Sequence, residues 1–299
     1  MRTSSINIIL AGIAVCNLVC MGIGIRNWYS IQSLMVPCTY PKSLIEFHFD
    51  WILSCVHDAF RRSSAWLGVS LTILRYHIIT DISRRNGKLT KPANGLKEIF
   101  MTFFVGFWIS LLFYFNTDIA KSGIWKPALD CGISEQIPVY TLKYNAFFEK
   151  NNYFFTRARL VLEGIFVKLF PCISSSIFTG LMLQKLKKSM SSSSSKSKTD
   201  RTSFLAIFIS ISFIITEFPI GIVDLYKAIW AVDSYNENAQ YTILICDALF
   251  TMNSTFHCFL IFFMSAQYRR TFWNLIQYFN CCTEKKIFRV TTVQSSLQS

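Results

Sequence analysis

The stretch from Asp50 to Thr80, DWILSCVHDAFRRSSAWLGVSLTILRYHIIT, restricts what this chain can fold into more than any other. As a helix it is long enough to cross a bilayer, because a helix rises about 1.5 Å per residue and the hydrocarbon layer is about 30 Å thick. Yet its first half is charged. Asp58, Arg61 and Arg62 lie three and four positions apart, with Ala65 continuing the row, so they share one helical face. Turned toward lipid, such a cluster would be costly, so the face must look into a protein interior or a watery cavity. From Ala65 to Leu74 the stretch is apolar, and it then meets Leu74-Arg75-Tyr76. A central helix with a polar pocket above and a lone arginine at its inner edge is what a ligand-sensing membrane bundle needs.

Composition agrees with a membrane setting. Only 16% of the 299 residues are charged, whereas 52% are apolar and 28 are Phe; a soluble domain averages about 25% charged residues. The net charge of +13 sits in short connections between apolar runs, which indicates orientation and not a nucleic-acid partner. Most of the ten Cys lie inside apolar runs, where a thiol acts as a small buried hydrophobe. No Cys or His pairs stand at metal-ligand spacing, so neither a metal site nor a cofactor is expected.

The predicted fold is all-α, a transmembrane helix bundle with spans over residues 6–25, 50–79, 98–116, 158–186, 203–227 and 241–264. The first run is too long for the core of a cleaved signal peptide and lacks a small-residue cleavage site. Its single strongly polar side chain, Asn17, reads as a hydrogen bond to a neighbouring helix. Residues 266–280 read as an amphipathic helix on the membrane surface, and residues 281–299 as a cytoplasmic tail in which Cys281 and Cys282 are palmitoylation candidates. The connection from Asn116 to Arg159 is unusually long for a loop without structure of its own.

Lys and Arg concentrate in the Thr80–Lys97 connection, the serine-rich linker after Lys188, and the tail, which places these and both termini in the cytosol. Cys38 and Cys131 then share the oxidising face and can be bridged, with Cys55 as a competitor; the sequence leaves the pairing open.

Several spans carry charge in their outer halves, namely His57, Asp58, Arg61, Glu163, Glu217, Asp224 and Asp247. Buried charges need partners, and Asp58, Glu163, Glu217 and Asp247 can neutralise Arg61, Arg62 and Lys168. His57, Asp58, Arg61, Glu163, Glu217 and Asp247 are the candidate ligand-binding set. The competing reading is that they form ion pairs that only hold the bundle together. Pro171 and Pro219, each inside a span, are candidate bends. There is no HExxH, no G-x-S-x-G and no Gly-rich phosphate loop, so an enzyme is not expected. A multi-span transporter or channel subunit is the alternative class, against which stands the absence of an internal repeat.

Four segments, FRRSSAWLGVSLTILRY, KLFPCISSSIFTGLMLQKLKKS, FISISFIITEFPIGI and NSTFHCFLIFFMSAQYRR, occur in an order that resembles the nematode serpentine receptors of class w, which are rhodopsin-like G-protein-coupled receptors related to FMRFamide-type peptide receptors. The resemblance implies a seven-helix receptor domain over residues 1–280, an extracellular peptide or small-molecule ligand, and a heterotrimeric G protein as partner. It implies that Arg75 and Tyr76 couple to the G protein, with Arg84, Arg85 and Lys187 flanking the coupling cleft. Pro171 and Pro219 match the bends of the family's fifth and sixth helices. Leu74 replaces the acid that usually precedes Arg75, Asn17 stands where an Asp is usual, and His257-Cys258-Phe259-Leu260-Ile261 replaces Asn-Pro-x-x-Tyr. The opening residues resemble the first intracellular loop running into the second helix, so the family's first helix is expected to be missing from this chain.

Overall fold

The computed structural model describes residues 5–34, 38–80, 91–125, 131, 136–145, 154–190, 197–230 and 237–264. The chain divides into two compact units, Met1–Thr255 and Phe256–Ser299. Of the second, the described part is the last turns of one helix. The predicted surface helix at 266–280, the tail with Cys281 and Cys282, and Arg84 and Arg85 lie outside the described residues.

The helices are α1 (Ser5–Leu34), α2 (Leu44–Thr80), α3 (Pro92–Asn116), α4 (Phe154–Leu162), α5 (Phe170–Met190), α6 (Ser197–Trp230) and α7 (Glu237–Met264). A π-helical stretch, Glu163–Leu169, joins α4 to α5. The first unit is organised around α2, which packs against α1, α3, α5, α6 and the π-helical stretch.

Each helix overruns its predicted span, because an apolar run reports the thickness of the hydrocarbon layer, whereas caps and turns set where a helix ends. For α2 the start is a capping box. The Ser43 backbone N–H and hydroxyl donate to Glu46 Oε2 at 2.9 and 3.1 Å, and the Glu46 N–H donates back to the Ser43 hydroxyl at 3.3 Å. These bonds, the backbone one foremost, hold the exposed Glu46 carboxyl below its usual range. In α3 the helix begins at Pro92 after Lys91 in extended geometry, where proline's missing N–H has no intrahelical partner to lose.

The all-α expectation needs one correction. Within the Asn116–Arg159 connection, β1 (Thr117–Trp125) pairs antiparallel with β2 (Ile137–Tyr144), from Thr117 opposite Tyr144 to Trp125 opposite Ile137, with an irregularity between Lys121 and Gly123. Ile137, Val139, Tyr140 and Thr141 are β-branched or aromatic and favour a pleated strand. Cys131, between the strands, is disulfide-bonded to Cys38, Cα to Cα 5.5 Å, while Cys55 is a free thiol. Asp50 of α2 accepts from Arg26 of α1 at 2.7 Å and from Lys42 at 2.6 Å, tying the two helices together.

Burial is inverted relative to a water-soluble protein. Phe100, Phe104, Phe107, Trp108 and Phe115 of α3 are exposed, as are Val15 and Leu18 of α1, while Asn17, Arg61, Arg62, Ser63, Ser64, Thr72, Glu217 and Asp224 are buried. Large apolar side chains outside and ionised groups inside are stable only where the surrounding medium is itself apolar. Among the described residues three helices, Ser5–Ser30, Pro92–Leu112 and Phe154–Lys185, are long and apolar enough to cross a bilayer. In the middle of α2 Arg61, Arg62, Ser63 and Ser64 are turned inward, and Asn17 of α1 accepts from the Ser64 hydroxyl at 2.9 Å.

The π-helical stretch sits immediately before Pro171. Proline has no N–H to donate, and its ring presses on the carbonyl four residues back, at Val167, so the backbone widens there. Two glycines let α6 come close to this stretch. A Cβ on Gly164 would lie 3.0 Å from the Gly221 carbonyl oxygen, and one on Gly221 would lie 2.9 Å from Leu169 Cγ. Gly164→Val is therefore expected to push α6 away and to destabilise the bundle by about 1–3 kcal/mol. Thermal unfolding of the purified variant in detergent checks this; an unchanged midpoint would show that the contact is not close.

Candidate functional site

Charged side chains from α2, the π-helical stretch, α6 and α7 meet in the half of the bundle that carries the hairpin and the disulfide. Arg61 is the hinge of the cluster. Its Nε donates to Glu217 Oε1 of α6 at 2.6 Å, and its Nη1 donates to Asp247 Oδ1 of α7. The guanidinium lies over the Phe250 ring, 4.6 Å from the centroid. Bonds from one guanidinium to two carboxylates are charge-assisted, and the planar fork fixes their geometry.

Arg62 points elsewhere. Its Nη1 donates to the Ser110 hydroxyl of α3 at 2.7 Å and its Nη2 to Glu163 Oε1 at 2.7 Å, with Asp58 Oδ2 3.8 Å away. Adjacent residues of a helix are about 100° apart, so the two arginines address different neighbours although both belong to the charged side of α2. Asp58 also lies 3.7 Å from His57 Nδ1, and the His57 ring meets Phe250 edge-on.

A third pair was only half foreseen. Lys168 donates to Asp224 Oδ2 at 2.6 Å, and not to one of the four carboxylates expected to neutralise it. Glu163 and Lys168 are five residues apart, which in an α-helix separates them around the axis. A π-helical turn bonds residue i to i+5 and stacks them, so both reach the chamber. Proline eight residues after an intramembrane glutamate was the available signal, but the type of distortion it causes is not written in the residues.

These groups line a cavity of about 40 Å³ walled by Asp58, Arg61, Arg62, Glu163, Lys168 and Glu217. A larger recess of about 270 Å³ opens between α2 and α3, bounded by Trp66, Ser70, Glu98, Met101 and Val105. That recess is mostly apolar, its best-defined polar contact being the Ser70 hydroxyl donating to Glu98 at 2.7 Å. The chemistry is concentrated in the smaller one. Among the described residues no group of His, Cys, Asp and Glu has metal-binding geometry.

At the other end of α2, Arg75 is buried and Tyr76 packs its ring 5.9 Å from those of His77 and Phe178. Lys187 falls in α5, with its side chain outside the described residues. Pro219 lies within α6, two residues after Glu217. Ser210 of α6 bonds to the Ser175 and Thr179 hydroxyls of α5 at 2.8 and 2.7 Å, a buried polar contact between these two helices.

An apolar exterior, an ion-paired interior and a disulfide-held hairpin together describe a helical membrane protein. The family model described as Serpentine type 7TM GPCR chemoreceptor Srw matches residues 1–279, and the chain belongs to that family. It is accordingly a multi-pass plasma-membrane protein from a family of receptors, not of enzymes. No protein of curated function matches the chain.

Proposed function

We propose that the chain binds an extracellular chemical cue or an FMRFamide-like peptide in the chamber formed by His57, Asp58, Arg61, Glu163, Glu217 and Asp247, and transmits that event to a heterotrimeric G protein at Arg75 and Tyr76. Six membrane-spanning helices and a surface helix within residues 1–280 carry this activity, with residues 281–299 as a cytoplasmic tail. Arg84, Arg85 and Lys187 flank the G-protein cleft, and palmitate on Cys281 and Cys282 anchors the segment between.

The observation that carries this reading is the pair of hydrogen bonds that Arg61 donates, one to Glu217 of α6 and one to Asp247 of α7. A ligand that engages Glu217 or Asp247 competes for that guanidinium. Such competition shifts the bundle only if the ligand binds the released arrangement better than the clamped one. Release lets α6 swing about Pro219, whose missing N–H weakens the helix there, and opens the inner cleft beside Arg75.

The test needs no known ligand. The chain is reconstituted with a heterotrimeric G protein and basal nucleotide exchange is measured at matched receptor density. Glu217→Gln, which weakens the clamp, is expected to raise basal exchange several-fold, and Arg75→Ala to abolish it. Exchange that is equal in the parent and both variants would end the receptor mechanism, and solute flux in the same vesicles would favour the transporter alternative.

A further inference from the structure

The pairing within the chamber is uneven. Each buried cation has one deeply buried carboxylate of its own: Arg61 with Glu217, Arg62 with Glu163, and Lys168 with Asp224, these carboxylates having side-chain exposures of 5%, 14% and 10%. Two further carboxylates share a cation with one of these. Asp58 and Asp247 are 36% and 41% exposed, and their nearest cations, Arg62 and Arg61, are already held by another acid. A further cation, Arg159 of α4, lies 3.6 Å from Glu163. His57 adjoins Asp58 on α2. The α2 and α7 side of the chamber is thus acidic where it is accessible, and the α4 side adds a positive charge at Arg159.

A second observation is independent of this charge pattern. Arg61 is more than nine-tenths buried, its Nε and Nη1 are used, and its Nη2 has no hydrogen-bond acceptor. An unsatisfied buried donor is costly, and it marks a place where an acceptor from outside the chain would be held.

We infer that the chamber takes a ligand whose head joins a positive charge to a neighbouring acceptor oxygen, the charge lying against Asp58 and Asp247 and the oxygen on Arg61 Nη2. The inference rests on the receptor reading and names the chemical class that the receptor admits. An ammonium or guanidinium beside an amide carbonyl has this form, and the cavity admits only the few heavy atoms of such a head. A carboxylate ligand is disfavoured, because it would face Asp58 and Asp247 while Arg61 already serves two acids.

Cys55 is a built-in reporter. It is a free thiol on α2, one helical turn outward from Asp58 and half-buried. Intact cells are treated from outside with the impermeant thiol reagents MTSET, which is cationic, and MTSES, which is anionic, and the label lost in Cys55→Ser is counted. The cationic reagent is expected to gain roughly tenfold over its ratio with a simple thiol in solution, as charged clefts concentrate counter-ions. Asp58→Asn or Asp247→Asn should remove most of that gain. Glycinamide, a cation beside a carbonyl, should then protect Cys55 at lower concentration than ethylamine, and Arg61→Lys should erase the difference.

A ratio equal to that in solution would overturn the cationic assignment while leaving G-protein exchange, measured separately, to stand. Equal protection by the two amines, or none, would overturn the acceptor at Arg61. A Cys55 that reacts with neither reagent would mean that the chamber is closed to the outside, which overturns both this inference and the proposed ligand site.

Discussion

Arg61→Met made alone is expected to be the most damaging single substitution in the chamber. It leaves the Glu217 carboxyl, 5% exposed at its side chain, without the one cation that bonds to it among the described residues. Removing one partner of a buried ion pair costs about 3–5 kcal/mol, whereas removing both can be nearly neutral. The lower end applies here, because helices that remain inserted in a bilayer find other polar partners when the bundle loosens. Asp247 adds less, since it is 41% exposed and can be hydrated. The double variant Arg61→Met with Glu217→Gln should therefore recover most of the lost stability, although not the signal. Arg61→Lys should fall between, keeping the charge but losing the fork that reaches α6 and α7 together. Thermal unfolding of the four purified proteins in one detergent reads this directly. A single variant as stable as the parent would mean that Arg61 and Glu217 are separately hydrated.

The second large effect concerns the outer end. The disulfide joins residues 93 apart in sequence, and closing a loop of that length in a free chain is worth roughly 4–5 kcal/mol by the chain-entropy account. In a membrane the intervening helices α2 and α3 stay inserted after unfolding, so the gain is smaller, but the hairpin still loses its tether to the chain ahead of α2. Cys38→Ser with Cys131→Ser is expected to lower the unfolding midpoint by several degrees and to expose the hairpin to protease. A reductant should do the same to the parent and nothing further to the double variant. If reductant leaves the parent unchanged, the bridge does not hold the hairpin.

How far the residues themselves disclosed this arrangement differs from element to element. Bilayer-length apolar runs located the helices, because burial of backbone in lipid leaves few alternatives. Charged residues inside those runs marked the chamber for the same reason, and Arg61, Glu217 and Asp247 do come together. The asymmetry of Lys and Arg put Cys38 and Cys131 on one face, and the structure pairs them and decides against Cys55. Helix ends were not legible from apolarity, although Ser43-Leu44-Ile45-Glu46 carried a capping signal that marks the start of α2. The hairpin was missed because its strands are half exposed and alternate only weakly. The Lys168–Asp224 pair was missed because it depends on a π-helical turn, and a reading in steps of 100° sends Lys168 to the wrong side.

The central claim is that Arg61 of α2 faces Glu217 of α6 across a chamber inside a membrane bundle. Short-span cross-linking in native membranes tests it most directly. Arg61→Cys and Glu217→Cys are combined in one chain, a protease site is placed in the serine tract at 191–195, and a short bis-methanethiosulfonate reagent is applied before cleavage. The parent serves as the blank, and a Phe100→Cys, Glu217→Cys chain serves as the outward-facing control, since Phe100 lies exposed on α3. The expected result is that the 61 and 217 fragments migrate together and the control fragments separate. Separate fragments from the 61 and 217 pair, or equal linkage in the control, would contradict the chamber.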